Sequence, residues 1–84
     1  MFRLLYSDQS LKQLEKLEKG IRERIIKTLE RIRIRPFPHI KRLVGIPYFS
    51  LRVGEYRIIL DIKNKELIIL VIEVGHRRNI YKKF

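Results

Sequence analysis

Apolar positions along the 84-residue chain change their spacing three times, and each change predicts a change of backbone. Phe2, Leu4, Leu5 and Tyr6 form a short aromatic and aliphatic run that predicts a strand. Ser7 and Asp8 end it, and either suits a helix N-cap. Leu11, Leu14 and Leu17 then recur at three-residue steps among charged and amide side chains, predicting a helix with a narrow apolar stripe that stops at Gly20. Ile21, Ile25, Ile26, Leu29 and Ile32 carry a second amphipathic helix, with Arg22, Glu23, Arg24, Lys27, Glu30 and Arg31 on its outer arc. So short a connection makes the two helices an antiparallel hairpin.

Pro36 and Pro38 forbid further helix and predict an extended connector over 36–39. Beyond it the period falls to two. Phe49, Leu51 and Val53 alternate with Tyr48, Ser50 and Arg52; Gly54 and Glu55 turn the chain; Tyr56, Ile58, Leu60 and Ile62 alternate with Arg57, Ile59 and Asp61. After a second turn at Lys63, Asn64 and Lys65, residues 67–74 are apolar on both faces apart from Glu73, which predicts an inner strand covered on both sides. The fold class is therefore α+β: an N-terminal strand and a two-helix hairpin packed on one face of a mostly antiparallel four-stranded sheet, whose other face stays partly open. No repeat or linker divides the chain, so residues 1–84 are expected to form a single domain.

Composition narrows the possibilities. The chain has no cysteine, so neither a disulfide framework nor a thiolate metal site supplements the core. The longest apolar run, 67–72, is far short of the ~20 residues that span a bilayer, and no signal-peptide apolar region forms before Asp8. A soluble cytoplasmic protein without a membrane partner is expected. Twenty Lys and Arg against nine Asp and Glu give a formal charge of +11. A charge-rich thermophile surface explains many charges of both signs, but not a two-to-one excess of one sign. The excess favours a polyanionic partner, with nucleic acid first, an acidic protein second and an anionic membrane third.

Candidate chemistry is limited by what is missing. Gly20, Gly45, Gly54 and Gly75 are isolated, so no glycine-rich phosphate cradle exists, and no Asp, Glu and His cluster has metal-ligand spacing. Neither a metal nor a small-molecule cofactor is expected. Arg52 and Arg57 flank one turn at a spacing that brings both to one face of paired strands. Arg77, Arg78 and Tyr81 come after the last strand and fall beside the start of the strand that carries Arg57, while Lys41 and Arg42 enter the sheet. These segments predict one basic patch.

Such a patch suits metal-free RNA cleavage, in which a ribose 2′-hydroxyl attacks its own phosphate and guanidiniums stabilise the charge that builds on the phosphate oxygens. Two residues are candidates for the general base. His76 has an unperturbed pKa of about 6.5; Tyr81, at about 10, needs the cations Arg77, Arg78 and Lys82 around it. The structural alternatives are a turn role for His76 and a sheet anchor for Tyr81. Lys82 and Lys83 extend the basic tail. His39 reads as structural, and Arg3, Arg31, Arg33 and Arg35 as solvated or phosphate-steering charge.

The stretches LRVGEYRII at 51–59 and VGHRRNIY at 74–81 resemble the signature of the RelE/ParE superfamily of toxin–antitoxin toxins. KRLVG at 41–45 resembles the basic segment that precedes it, and the order of elements agrees over nearly the whole chain. The resemblance implies a RelE-like toxin that cleaves mRNA in the ribosomal A site and is held inactive by a small acidic antitoxin. Ribosome, mRNA and antitoxin are the implied partners. Arg52 and Arg77 match the family's catalytic arginines, Tyr81 its C-terminal tyrosine, and Lys41 and Arg42 its RNA-contacting segment. His76 stands where other members carry lysine, and so shares or assumes the proton-transfer role. Arg57, Arg78, Lys82 and Lys83 would add RNA contacts. Two other readings stay open: a ParE-like toxin that binds DNA gyrase without catalysis, and a small RNA-binding module without toxicity.

Overall fold

A computed structural model describes residues 1–80. Its elements run β1 (Arg3–Tyr6), α1 (Asp8–Glu15), α2 (Lys19–Ile32), a 3-10 turn (Phe37–His39), β2 (Ile40–Arg42), β3 (Phe49–Val53), β4 (Tyr56–Lys63), β5 (Ile68–His76) and α3 (Arg77–Ile80). The sheet has five strands in the order β1-β5-β4-β3-β2. Among the described residues only β1 and β5 pair in parallel, and every other pairing is antiparallel. The α+β class, the helix pair and the mostly antiparallel sheet agree with the sequence reading.

Three local differences have physical causes. The sheet has a fifth strand, because Ile40, Lys41 and Arg42 pair with Leu51, Ser50 and Phe49; three residues are too few for alternation to declare a strand. The first helix ends at Glu15 rather than Gly20, and Gly20 lies in the first turn of α2. The connector at 36–39 is not extended. Pro36 adopts a helical ψ of −38°, and His39 N donates to Pro36 O at 3.0 Å. Proline's fixed φ suits a 3-10 turn as well as an extended chain. The turn holds the Phe37 ring edge-on to Phe2 and Phe49.

Ser7 caps α1: its Oγ accepts from Ser10 N and donates to Ile72 O at 2.8 Å. One side chain thereby satisfies a helix end and fastens it to β5. Both helices lie on one face of the sheet, where Leu14, Ile25, Leu29 and Ile32 bury against Leu51, Val53, Ile58, Leu60, Ile69, Val71 and Val74. Val71 and Val74 share that face although three residues apart, because the β4–β5 register slips between Ile59 and Leu60 and leaves Ile72 as an extra residue. Past β1, the edge of β5 is covered by Gln13, whose Oε1 accepts from Val74 N while its Nε2 donates to Glu73.

The same bulge directs the chain beyond β5. Gly75 falls opposite Arg57, on the face away from α1 and α2, and α3 folds back onto that face. A Cβ at Gly75 would lie 3.1 Å from Ile80 Cδ1, so the glycine lets the short helix close on the sheet. Ile59 and Ile80 are buried there, apart from the main core. β5 is an inner strand as expected, but its outward residues Ile68, Leu70 and Ile72 are only half-buried.

Candidate functional site

Strand alternation decides where the basic side chains go. Leu51 and Val53 point into the core, so Ser50 and Arg52 face the other way, and the register carries Lys41 to Ser50 and Arg57 to Arg52. Lys41, Arg42, Arg52 and Arg57 line one cavity of about 350 Å³ on this face, together with His39 and Ser50. Two of the three basic segments thus converge as expected.

Arg52 and Arg57 are direct cross-strand partners. Like charges placed opposite each other destabilise a sheet by about 0.2–1 kcal/mol, so packing alone does not select this pair, and an anion seated between them would relieve it. The two cations are held differently. Arg57 is buried, 9% exposed, and its Nη1 donates to Gly54 O at 3.1 Å and to Tyr56 O at 3.0 Å. Arg52 is exposed and forms no ion pair among the described residues. Arg42 pairs with Phe49, which packs against the core, and lies 5.8 Å from the centroid of that ring, a cation–π contact that turns its guanidinium toward the ring.

The third segment meets the site at the β3–β4 turn rather than inside the cavity. Glu55 O, the carbonyl between the two that bind Arg57, accepts from Arg77 N at 2.8 Å, and Arg77 Nε donates to Glu55 Oε2 at 2.8 Å. This pair uses Nε, and the guanidinium stays half-exposed. Arg78 is exposed on α3. His76 turns the other way: its ring sits edge-on to Tyr56 at 5.6 Å, and its Nδ1 accepts from Arg78 N at 3.2 Å. While that bond holds, the neutral imidazole carries its proton on Nε2 and offers no free lone pair to a substrate. Tyr81, Lys82 and Lys83 lie outside the described residues.

Sequence reasoning passed over His39 and Ser50, both of which line the cavity. The signal was indirect, since His39 reaches the site only through the short strand after it. No group of three or more Asp, Glu or His side chains that could hold a metal ion converges among the described residues. None of the described helices is long and apolar enough to cross a membrane.

Residues 4–81 match the family described as ParE toxin of the type II toxin–antitoxin system parDE. The chain belongs to this family, and the protein is a toxin of a type II toxin–antitoxin system within the RelE/ParE superfamily. No curated protein matches it significantly by sequence. Solved structures do. The isolated Escherichia coli RelE toxin is 25% identical with a TM-score of 0.79, over 99% of this chain and 94% of that one. RelE in the RelB–RelE complex of Methanococcus jannaschii is 27% identical with a TM-score of 0.72, over 95% and 98%. The archaeal RelE–RelB complex of Pyrococcus horikoshii, 22% identical with a TM-score of 0.81 over 93% and 97%, shares the fold.

Proposed function

We propose that residues 1–84 act as one RelE-like toxin domain that cleaves ribosome-bound mRNA in the A site without a metal ion and so stops translation. The observation that carries this reading is the opposed pair Arg52 and Arg57 in a cavity shared with Lys41 and Arg42, an arrangement suited to a phosphodiester. The ribose 2′-oxygen attacks the adjacent phosphorus, the bond to the 5′-oxygen breaks, a base takes the 2′ proton, and a proton goes to the leaving oxygen. Arg52 and Arg77 stabilise the charge on the non-bridging oxygens. Lys41, Arg42, Arg57, Arg78, Lys82 and Lys83 hold the RNA backbone. Tyr81 acts as the base, a choice supported by the commitment of His76 Nδ1 to Arg78 N, which makes His76 the support of α3. The ribosome supplies positioning, since the described lining of the cavity holds no Phe, Tyr or Trp on which bases would stack.

The partner is an acidic antitoxin, supported by the +11 charge and by the RelB complexes of the solved relatives. A second reading, a ParE-like toxin that binds DNA gyrase without chemistry, is favoured by the family match itself. Toeprinting of translating ribosomes separates the two. Discrete A-site cuts, with naked message cut poorly, are expected for the nuclease. Equal cutting of naked and ribosome-bound message removes the ribosome dependence, and intact message with failing DNA supercoiling identifies the gyrase binder.

A further inference from the structure

A second basic groove, of about 510 Å³, lies between α2 and the edge of β3. On the helix side Arg24, Lys27 and Arg31 line it together with Thr28. The three cations span eight residues, about 10 Å of helix. On the sheet side the lining is Arg52, Val53 and Gly54, and Glu23 is its one carboxylate. None of Arg24, Lys27 and Arg31 forms an ion pair among the described residues. Arg24 reaches the β3–β4 turn, where a Cβ on Gly54 would meet its Nη1 at 3.2 Å. Guanidinium and turn are therefore in contact.

Arg52 lines this groove and the sheet cavity alike. The strand edge between them is open, because β2 covers β3 only from Phe49 to Leu51 and leaves Arg52 and Val53 beyond its end. We infer that this notch is the path of a single RNA strand: the strand leaves the sheet cavity over Arg52 and lays its backbone along Arg24, Lys27 and Arg31. The inference rests on the RNA-cleaving reading and adds to it a second, non-reacting backbone site.

The lining selects nucleic acid over an acidic protein. Protein interfaces bury apolar and aromatic anchors and are depleted in lysine at their centres, whereas Val53 is the one apolar side chain here and is itself buried. Among the described residues no aromatic side chain lines the groove to stack bases, so the contact is to phosphate and indifferent to sequence.

The test is equilibrium binding of the full chain to RNA as salt is varied. The probes are a uridine trinucleotide, which carries only two phosphodiesters, and oligouridine of about 12 nucleotides, within the range of single-strand site sizes. Lys27→Gln with Arg31→Gln changes two exposed side chains outside the proposed reaction site. The expected result is a reduction of about 1.4 in the slope of log K against log salt for the longer RNA, since each single-strand phosphate contact contributes about 0.7. Binding of the trinucleotide should not change, and oligoadenine should lose as much affinity as oligouridine. An unchanged slope for the longer RNA, with trinucleotide binding intact, overturns the groove and leaves the cleavage reading standing. Weakened binding to an acidic peptide with RNA binding unaltered assigns the groove to a protein and overturns it too. Failure of the unaltered chain to bind the longer RNA at any salt concentration overturns the groove as well, whereas the cleavage reading stands or falls on toeprinting of ribosome-bound message.

Discussion

Arg77 and Glu55 hold each other twice, once through main-chain N–H to carbonyl and once through guanidinium to carboxylate, each at 2.8 Å. The first contact fastens the end of β5 to the β3–β4 turn; the second sets the direction of an arginine that the RNA would also claim. Both side chains are about half-exposed, so the ion pair contributes only about 0.2–1 kcal/mol. Glu55→Gln should therefore leave the melting temperature nearly unchanged. It should tighten RNA binding, because a carboxylate that competes with phosphate is gone. Thermal unfolding and an RNA titration check the two halves, and weaker RNA binding would make Glu55 a positioning residue instead of a competitor.

Arg52 and Arg57 differ in burial, so their removal should separate chemistry from stability. Arg52→Ala takes away an exposed guanidinium and a like-charge repulsion; folding should be unharmed and cleavage should fall about 10²–10³-fold. Arg57→Ala removes a buried side chain that donates to Gly54 O and Tyr56 O, and loss of these charged hydrogen bonds and of its packing should cost about 1–3 kcal/mol. Denaturant unfolding beside single-turnover cleavage reads both effects. Equal losses of stability from the two variants would contradict the assignment.

For the base, Tyr81→Phe should keep the fold and lower cleavage about 10²–10⁴-fold. His76→Asn can still accept from Arg78 N and should keep activity, whereas His76→Ala should loosen α3 before it affects chemistry. Full activity in Tyr81→Phe with none in His76→Asn would reverse the roles. Both variants are assayed on ribosome-bound message across pH, where loss of the true base also alters the profile.

The antitoxin complex should weaken as salt rises, since an acidic partner approaching a chain of charge +11 gains from unscreened attraction. Titration calorimetry at several ionic strengths measures this. A dissociation constant indifferent to salt would leave apolar burial as the whole of the affinity.

Much of this architecture was legible in residue order. Ile25, Leu29 and Ile32, read as a helical stripe, are fully buried, and the alternation of Phe49, Leu51 and Val53 against Ser50 and Arg52 placed Arg52 on the open face. What escaped depended on contacts distant in sequence. β2 exists because β3 pairs with it, and three residues cannot announce that. The bulge at Ile72 is a register slip between strands and has no local signature, yet it puts Gly75 on the face where α3 lands. The groove beside α2 was not legible: Arg31 read as solvated or phosphate-steering charge without a location, and its neighbour across the gap, Arg52, comes from a strand more than twenty residues later.

Tyr6 supplies the pH prediction. Its phenol lies half-buried against the core at the end of β1, and burial, with a smaller contribution from the nearby Glu30 carboxylate, raises its pKa above 10.0. The folded state therefore keeps the proton more tightly than the unfolded chain. For a group shifted in this direction the stabilisation is complete below the unfolded pKa of about 10 and is lost as pH climbs from there through the folded value. Neutral pH should show no dependence from this residue. Tyr6→Phe removes the ionisation while keeping the ring, so above pH ~10 the variant should lose less stability than the parent chain, and the difference between the two should be flat below it. Urea unfolding of both proteins across that range measures the difference; parallel curves above pH ~10 would mean that Tyr6 ionises as freely folded as unfolded.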